Sequence, residues 1–264
     1  MDFGIRGRAA AVAASSQGLG FACALELARE GASVAICSRD RARIDDAARR
    51  IRGAVPEAIV HAAVADLSKD ADCRAFVDKA AQQFGRLDIV VTNSGGPKPG
   101  AFDDVTLDDF RRGVDSTLMS AIALMSAAVP HLRKNQWGRV VNILSITVKQ
   151  PKTTLLVSNT MRPGILGFAK SISFELAKEH ITVNNVAPGY TKTERLDELA
   201  EHLSSTQKRK PEDIFAEWER IIPAGRLGRS EELAAVVAFL CSERASYVTG
   251  VTIQVDGGQI QGLL

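Results

Sequence analysis

The stretch that decides the fold lies near the N-terminus and reads Ala13-Ala14-Ser15-Ser16-Gln17-Gly18-Leu19-Gly20. It continues an apolar run at 9–14 that is typical of a buried strand, and an amphipathic helical pattern starts at about residue 19. Glycines in such a strand-to-helix turn allow the backbone to turn tightly and to approach a ligand. The helix N-terminus then offers unpaired N–H groups and a positive dipole to an anion. The turn therefore predicts a βα unit that binds a dinucleotide through its pyrophosphate.

Short apolar runs and amphipathic helical stretches alternate from this turn to the C-terminus. Most of the runs are nearly continuous in Val, Ile, Leu and Ala, as expected when both faces of a parallel strand are covered. Strands that alternate with helices imply a Rossmann-type doubly wound parallel sheet of about seven strands, with helices on both faces. The predicted strands are 9–14, 32–38, 59–65, 87–93, 139–145, 182–187 and 251–255. The predicted helices cover about 19–30, 41–52, 69–84, 107–134, 155–179 and 230–243, with Thr106 and Ser230 as N-caps.

One segment, 190–228, interrupts this alternation and carries a charged helical stretch that includes Lys208-Arg209-Lys210-Pro211. Such an insertion forms either a lid or substrate loop over a ligand site, or a solvated surface excursion, and the sequence favours neither. No repeat, low-complexity tract or linker divides the sequence, so residues 1–264 are predicted to form a single nucleotide-binding domain.

Composition argues against several classes of function. The chain carries 33 Lys and Arg against 31 Asp and Glu, and a net charge of +2 argues against nucleic acid or an anionic membrane as a partner. The 4 cysteines and 4 histidines are dispersed without zinc-ligand spacing, which predicts free thiols, structural histidines and no metal. The N-terminus does not read as a signal peptide, and no apolar run is expected to span a bilayer. These features predict a soluble, cytoplasmic protein.

Further short motifs follow the glycine turn, most of them at the ends of predicted strands. They are Asp66-Leu67, Thr92-Asn93-Ser94-Gly95, Asn142-Ile143-Leu144-Ser145, Asn185-Val186-Ala187-Pro188-Gly189, Tyr247-Val248-Thr249-Gly250 and Val255-Asp256-Gly257-Gly258. With these motifs in order over essentially the whole chain, the sequence resembles the short-chain dehydrogenase/reductase family, close to its branch of 3-oxoacyl-carrier-protein reductases. The resemblance implies an NAD(P)(H)-dependent oxidoreductase that acts on a carbonyl or alcohol substrate.

The resemblance also implies which residues hold the cofactor. Those expected along it, from the phosphates and adenosine to the nicotinamide end, are Ser15, Gln17, Gly18, Leu19, Asp66, Leu67, Asn93, Gly95, Pro188, Gly189 and Thr191. The chain departs from the family at Ala14, where the first glycine usually stands. Alanine fits there without strain only if its φ is negative.

Cofactor preference is decided after the second predicted strand, where the chain reads Cys37-Ser38-Arg39-Asp40. An NAD enzyme tends to place an acid in this region to bind the ribose 2′-hydroxyl. Arg39 suits a 2′-phosphate and Ser38 can donate a hydrogen bond to it, whereas Asp40 is expected to cap the next helix. The sequence therefore favours NADP(H) over NAD(H), with a plain surface role for Arg39 as the alternative.

The catalytic positions depart most strongly from the family. Its members carry a Tyr and, four residues later, a Lys on one helix, with a Ser 13 residues before the Tyr and an Asn on the preceding helix. Counted from Ser145, the same spacing leads here to Ser158 and Arg162, and Thr117 stands in place of the Asn. A serine hydroxyl is a far weaker acid than a phenol. An arginine cannot shuttle a proton as lysine does, although its charge can still hold the nicotinamide ribose.

Three interpretations of this site remain open. In the first, a divergent reductase, Ser145 and Ser158 polarise the carbonyl, and water or one of Lys149, Lys152 and Tyr190 supplies the proton. Each of those three side chains also fits an ordinary surface or packing role. The second interpretation is a dinucleotide-binding module without turnover, acting as a sensor or partner subunit. The third is another reaction in the same cleft. The retained cofactor motifs favour the first two.

The resemblance further implies a homo-oligomer, either a tetramer or a dimer. In the family, the helices that match 107–134 and 155–179 pair across one two-fold axis, and the C-terminal strand and tail pair across another. Here those helices carry apolar and small residues on several faces, including Leu118, Ala121, Leu124, Ile165 and Phe168. The expected partners are therefore a small carbonyl or alcohol substrate and further copies of the chain.

Overall fold

A computed structural model describes residues 2–263, and its centre is a parallel sheet of 7 strands in the order β3-β2-β1-β4-β5-β6-β7. The strands are β1 (Ala9–Val12), β2 (Ser33–Ser38), β3 (Val60–Val64), β4 (Ile89–Thr92), β5 (Gly138–Ile143), β6 (Ile181–Pro188) and β7 (Thr252–Val255). The strand order reverses between β1 and β4, and ligands of such sheets bind in the crevice at the carboxyl ends of those strands. The predicted fold class is confirmed.

Helices cover both faces of the sheet. They are α1 (Gly18–Arg29), α2 (Arg41–Ala54), α3 (Asp70–Phe84), α4 (Leu107–Gly113), α5 (Ser120–Lys134), α6 (Leu156–Leu176), α7 (Glu194–Gln207), α8 (Pro211–Ile221) and α9 (Ser230–Leu240). One apolar cluster packs α1, α2 and α9 against one face, and a second packs α3, α5 and α6 against the other. All 4 cysteines are buried and free, as predicted.

A π-helical segment, Val114–Met119, joins α4 and α5 into one helix of 28 residues. By length and composition this helix could cross a membrane, which differs from the sequence expectation. However, α5 packs against α3, β4, β5 and α6, so it lies where a core helix of an α/β domain lies. Its apolar residues are accounted for by that packing.

Helix caps follow the sequence with one exception. Thr106 accepts a hydrogen bond from Asp109 N and caps α4, and Asp40 accepts one from Arg43 N and caps α2, as predicted. The predicted cap of α9 at Ser230 is wrong, because the cap is Arg229 and Ser230 is the first helical residue. The reason is the carboxylate of Glu232, which accepts the backbone N–H of Arg229 at 2.8 Å and so fixes the start of the helix one residue earlier.

The segment 190–228 is folded and contains α7 and α8. These two helices form a small apolar cluster of their own from Leu196, Ala200, Ile214 and Trp218. Tyr190 stacks on Trp218 with ring centroids 4.6 Å apart, which ties the end of β6 to α8. The insertion is therefore anchored directly beside the carboxyl ends of the strands.

Candidate functional site

The glycine turn between β1 and α1 lies at the reversal point of the sheet. Ala14 has a φ of 46°, in the left-handed region, so alanine at this position costs about 1–2 kcal/mol of backbone strain. Only glycine fits at position 20, because a Cβ on Gly20 would overlap the carbonyl oxygen of Ala14. Asn93 donates from its amide to the same oxygen at 3.1 Å and holds the turn from the side of β4. The turn keeps the tight geometry that a dinucleotide needs.

Of the residues in the turn before α1, some hold the turn in shape, and others leave backbone N–H groups without a partner. Ser15 is fully buried, and its hydroxyl donates to Val12 O at 2.7 Å and accepts from Cys37 N at 3.1 Å. It therefore fixes the turn from inside. Gln17 is the N-cap of α1, but its side chain makes no capping bond, so the N–H groups at the start of α1, from Gly18 and Leu19 onward, have no side-chain cap. These N–H groups are the ones available to an anion.

At the end of β2, Arg39 is exposed and forms no ion pair with any residue between 2 and 263. Ser38 accepts the backbone N–H of Asp40 at 3.1 Å. Asp66, after β3, accepts two hydrogen bonds from Ser68, which hold the pKa of its carboxyl below the usual value. Arg39 thus has a free guanidinium at the place where a 2′-phosphate is expected.

The residues expected at the nicotinamide end follow β6. The backbone N–H of Gly189 donates to Val255 O at 3.0 Å, and buried Thr191 bridges to Gly228, so this loop is fixed against β7 and the segment before α9. The chain then crosses to the glycine turn, where a Cβ on Gly18 would lie 3.6 Å from both Thr193 and Glu194. The first turn of α7 therefore covers the turn that precedes α1. Sequence reasoning missed Thr193 and Glu194.

Three of the positions expected to be catalytic, Ser145, Ser158 and Arg162, form one hydrogen-bonded group after β5. Ser145 accepts from Thr147 N at 3.2 Å, and the hydroxyls of Thr147 and Ser158 are 3.3 Å apart. Arg162 donates from Nε to Ser158 Oγ at 3.1 Å, one helical turn further along α6. Pro163 does not break this arrangement, because α6 runs without interruption from Leu156 to Leu176. Thr147, which is almost fully buried, was missed by sequence reasoning although a hydroxyl two residues after Ser145 was a usable signal.

Arg162 lies beneath Ser158 and is held by the end of β5. Its Nη1 donates to Leu144 O at 2.6 Å and to Ile143 O at 3.1 Å, so the guanidinium binds only neutral acceptors. Burial, together with the nearby charge of Arg195, lowers the pKa of Arg162 to about 10. The group still carries its proton at neutral pH. It is a fixed positive charge and not a proton donor.

Thr117 lies opposite this group, in the π-helical segment between α4 and α5. It borders a cavity of about 10 Å³, close to the smallest that holds one water, which is lined by Thr92, Asn93, Ser94, Thr117, Ser120, Ala121, Ile143, Arg162 and Ile165. The buried hydroxyls of Thr117 and Ser120 have no hydrogen-bond partner in the described part of the chain. An unpaired buried hydroxyl indicates a missing polar partner. Ser120 was missed, although it follows Thr117 by one helical turn.

The side chains expected as proton donors are Tyr190, Lys152 and Lys149. Burial raises the pKa of Tyr190, which makes it a poorer acid than a free phenol, and its ring is stacked on Trp218. The ammonium of Lys152 lies 5.9 Å from the Tyr190 ring, within the range of a cation–π contact. Lys149 is exposed beyond the short helix Ile146–Val148. None of the three makes a hydrogen bond to Ser145 or Ser158 within residues 2–263.

Comparisons with known proteins agree over nearly the full length. The family described as enoyl-(acyl carrier protein) reductase matches residues 13–259. The NADPH-dependent reductase BacG of Bacillus subtilis (strain 168) is 34% identical over 259 residues, which is 97% of this chain and 99% of BacG. Human dehydrogenase/reductase SDR family member 4 is 34% identical over 95% of this chain and 87% of its own. The chain belongs to the short-chain dehydrogenase/reductase family.

Solved structures of other short-chain dehydrogenase/reductase proteins superimpose closely on this one. YwfH, an NADPH-dependent reductase involved in bacilysin biosynthesis, has a TM-score of 0.92 at 32% identity, covering 97% of this chain and 99% of its own. L-sorbose reductase from Gluconobacter frateurii, solved with NADPH and L-sorbose, has a TM-score of 0.93 at 29% identity and covers 100% of both chains. The resemblance read from the sequence motifs is confirmed.

The dinucleotide-binding half of this short-chain dehydrogenase/reductase fits its cofactor. The N-terminus of α1 lacks a side-chain cap, and a Cβ on Gly95 would meet no atom within 4 Å, so the loop after β4 is open. In the part of the chain that the structure describes, no three His, Cys, Asp or Glu side chains lie together as metal ligands. The positions expected to be catalytic hold Ser145, Thr117, Ser158 and Arg162.

Proposed function

We propose that this short-chain dehydrogenase/reductase is a cytoplasmic, NADP(H)-dependent oxidoreductase that reduces a carbonyl group, or oxidises the matching alcohol, beside Ser145. The observation that carries the proposal is the hydrogen-bonded group of Ser145, Thr147, Ser158 and Arg162 next to a dinucleotide-compatible turn. The similarity to reductases named for NADPH supports the choice of cofactor. The segment 190–228 is proposed to be a lid, because the start of α7 already covers Gly18.

In this proposal the cofactor, when bound by the N-terminus of α1, Asn93, Gly95, Arg39 and the loop after β6, supplies the hydride. Ser145 donates a hydrogen bond to the carbonyl oxygen through its hydroxyl proton, which it keeps. That proton is free, because Ser145 Oγ accepts from Thr147 N and donates to no group within residues 2–263. A donor aimed at the developing negative charge is worth about 10²–10³-fold in rate.

Ser158 and Arg162 lie beside the substrate's carbonyl oxygen in this proposal, and Arg162 contributes a positive charge. The hydroxyl of Ser158 is held by Arg162 Nε and Thr147 Oγ1 and cannot move far toward the substrate. The guanidinium favours the alkoxide electrostatically but keeps its own proton. The proton that converts the alkoxide to the alcohol is proposed to come from a water bound by Thr117 and Ser120, which is reprotonated from bulk solvent. The hydroxyls of Thr117 and Ser120 lack partners within residues 2–263.

The test is to incubate the purified protein with NADPH and a panel of ketones, aldehydes and oxoacids. Oxidation of NADPH that depends on one carbonyl class supports the reductase. Binding of NADPH, measured by calorimetry, without oxidation by any carbonyl compound would instead support the non-catalytic module. Oxidation of NADPH by compounds that lack a carbonyl group would support another reaction in the same cleft.

Cofactor preference is tested at Arg39. Replacing Arg39 with Ala removes one charge-assisted contact, worth about 1.5–3 kcal/mol. NADPH should therefore bind about 10- to 100-fold more weakly, with NADH little changed. Arg49→Ala is the matched control, because Arg49 is an exposed arginine of α2 whose partner is Asp46. Titration calorimetry with both nucleotides decides the matter, and equal losses for NADPH and NADH would refute the assignment.

We also propose that the protein is a homo-oligomer, a tetramer or a dimer, formed through α4–α6 and the C-terminal region. Phe174 of α6 is 71% exposed and Tyr247, near β7, is fully exposed, so apolar side chains lie on both expected interfaces. Multi-angle light scattering should give two or four times the mass of one chain. The Phe174→Asp variant should give a lower mass than the native protein. A monomer at micromolar concentration would contradict the proposal.

A further inference from the structure

Two arginines from distant parts of the chain converge over the loop after β4. A Cβ on Gly96 would lie 3.5 Å from Arg195 Nε and 3.9 Å from Arg162 Nη2. Arg195, in the first turn of α7, also donates from Nη2 to Pro97 O at 2.7 Å. Arg162 approaches from α6 beneath the same loop. Two guanidinium groups therefore border one point at the mouth of the catalytic cleft.

No carboxylate neutralises the inner arginine. Every hydrogen bond of Arg162 goes to a serine hydroxyl or a backbone carbonyl, and the cavity beside it is lined by hydroxyl, amide and apolar groups. Arg162 forms no ion pair with any carboxylate within residues 2–263. Arg162 is half-buried, and a charge that is partly withdrawn from water is ordinarily paired, because the loss of hydration is costly. A counter-charge is missing from this site.

The nearby acids do not fill that role. Glu198 pairs with Arg195 at 3.1 Å but is 60% exposed, and such surface pairs are weak. Asp109 is already paired with Lys98 and Arg112. Lys152, whose ammonium lies 5.9 Å from the Tyr190 ring, adds a positive charge without a carboxylate partner within residues 2–263. Of the three positive groups Arg162, Arg195 and Lys152, only Arg195 therefore has a carboxylate partner within residues 2–263.

We propose that the cleft binds an anionic substrate, a carbonyl compound that carries a carboxylate, with Arg195 as the direct ligand and Arg162 as the charge behind it. A planar guanidinium suits a carboxylate because it can donate two parallel hydrogen bonds. Arg195 is 44% exposed, so an incoming anion can reach it and displace its bond to Pro97 O. The inference deepens the proposed function and rests on it, since it names the substrate charge for the same cleft.

The cofactor's own phosphates are the competing source of negative charge. They are expected at the N-terminus of α1, where Gly18 borders Thr193 and Glu194, and Arg195 is the next residue of α7. The experiment must therefore separate an anion that binds beside NADPH from one that takes the place of its diphosphate.

Calorimetric titration of benzoate, and of its neutral isostere benzamide, distinguishes an anion that binds beside NADPH from one that replaces its diphosphate. Both are titrated into the free and the NADPH-saturated full-length protein. Benzoate should bind at least about 10-fold more tightly than benzamide in both states. Arg195→Gln should weaken benzoate binding by about 10- to 100-fold while leaving NADPH affinity unchanged, and Arg195→Lys should recover part of the loss. Arg220→Gln is the matched control, because it removes the same charge from an exposed site on α8.

Three results would overturn the inference. Benzoate could bind no more tightly than benzamide; saturating NADPH could abolish benzoate binding; or Arg195→Gln could weaken NADPH as much as benzoate, which would assign the arginine to the diphosphate. Because benzoate cannot be reduced, the outcome is independent of turnover. A protein that binds benzoate beside NADPH but reduces no carbonyl compound would keep the anion site and lose the proposed reaction.

Discussion

The double variant Ser158→Tyr, Arg162→Lys should reduce a simple activated ketone with NADPH about 10²–10⁴-fold faster than the native protein. This factor is the usual contribution of a positioned general acid. The native Ser158 hydroxyl cannot supply that contribution, because an aliphatic hydroxyl is a very weak acid. The Ser158 hydroxyl is also hydrogen-bonded to Arg162 Nε and to Thr147 Oγ1. A phenol at the same position would extend further into the cleft.

Both changes are needed at once. Arg162 Nε lies 3.1 Å from Ser158 Oγ, so a tyrosine ring added alone would meet the guanidinium. Lysine removes that group and places an ammonium near the phenol, which lowers the phenol's pKa toward neutral. The continuous α6 keeps positions 158 and 162 on one face, past Pro163. The gain should therefore require the pair and not either single variant.

The control is Ser158→Phe with Arg162→Lys, which has the same ring without the hydroxyl. It should remain as slow as the native protein when initial rates of NADPH oxidation are compared at saturating cofactor. If the native protein instead reduces its own substrate rapidly and the Tyr/Lys pair destroys that activity, Ser158 and Arg162 are a working site of their own. The divergent-chemistry interpretation would then replace the weakened reductase.

The fold was predictable because its core obeys a local rule. Parallel strands covered on both faces give nearly continuous apolar runs, and all seven observed strands lie within 1–2 residues of those runs, with β5 ending at Ile143 and not at Ser145. The helices α7 and α8 were not separated by sequence. Their apolar residues pack mainly on each other through Leu196 and Trp218, so no neighbouring strand marks their limits.

The site was predictable only as far as its residues stand in motifs. Ser145, Ser158 and Arg162 were expected from the spacing of the family that the sequence resembles, and the structure brings them into one hydrogen-bonded group through Thr147. Arg195 gave no signal, because its contact with Pro97 joins residues 98 positions apart. The unpaired state of Arg162 was equally invisible, since the absence of a carboxylate is a property of the packed site and not of any one segment.

Ser145→Ala should lower the rate of carbonyl reduction by about 10²–10³-fold, because it removes the hydroxyl that is proposed to donate a hydrogen bond to the substrate oxygen. Arg162 would remain as a charge, but it is held by Ile143 O and Leu144 O and cannot take over the hydrogen bond. The effect should appear in kcat for NADPH oxidation, with NADPH affinity unchanged.

The change also removes a local structural bond, since Ser145 accepts from Thr147 N and caps the short helix Ile146–Val148. Losing such a cap costs about 1 kcal/mol of stability. Ser145→Thr separates the two effects, because it keeps both the acceptor and the donor and should recover most of the rate. A melting temperature measured for each variant shows whether the fold is intact. If Ser145→Ala keeps full activity while Ser158→Ala loses it, the carbonyl lies beside Ser158, and the assignment of the two serines must be exchanged.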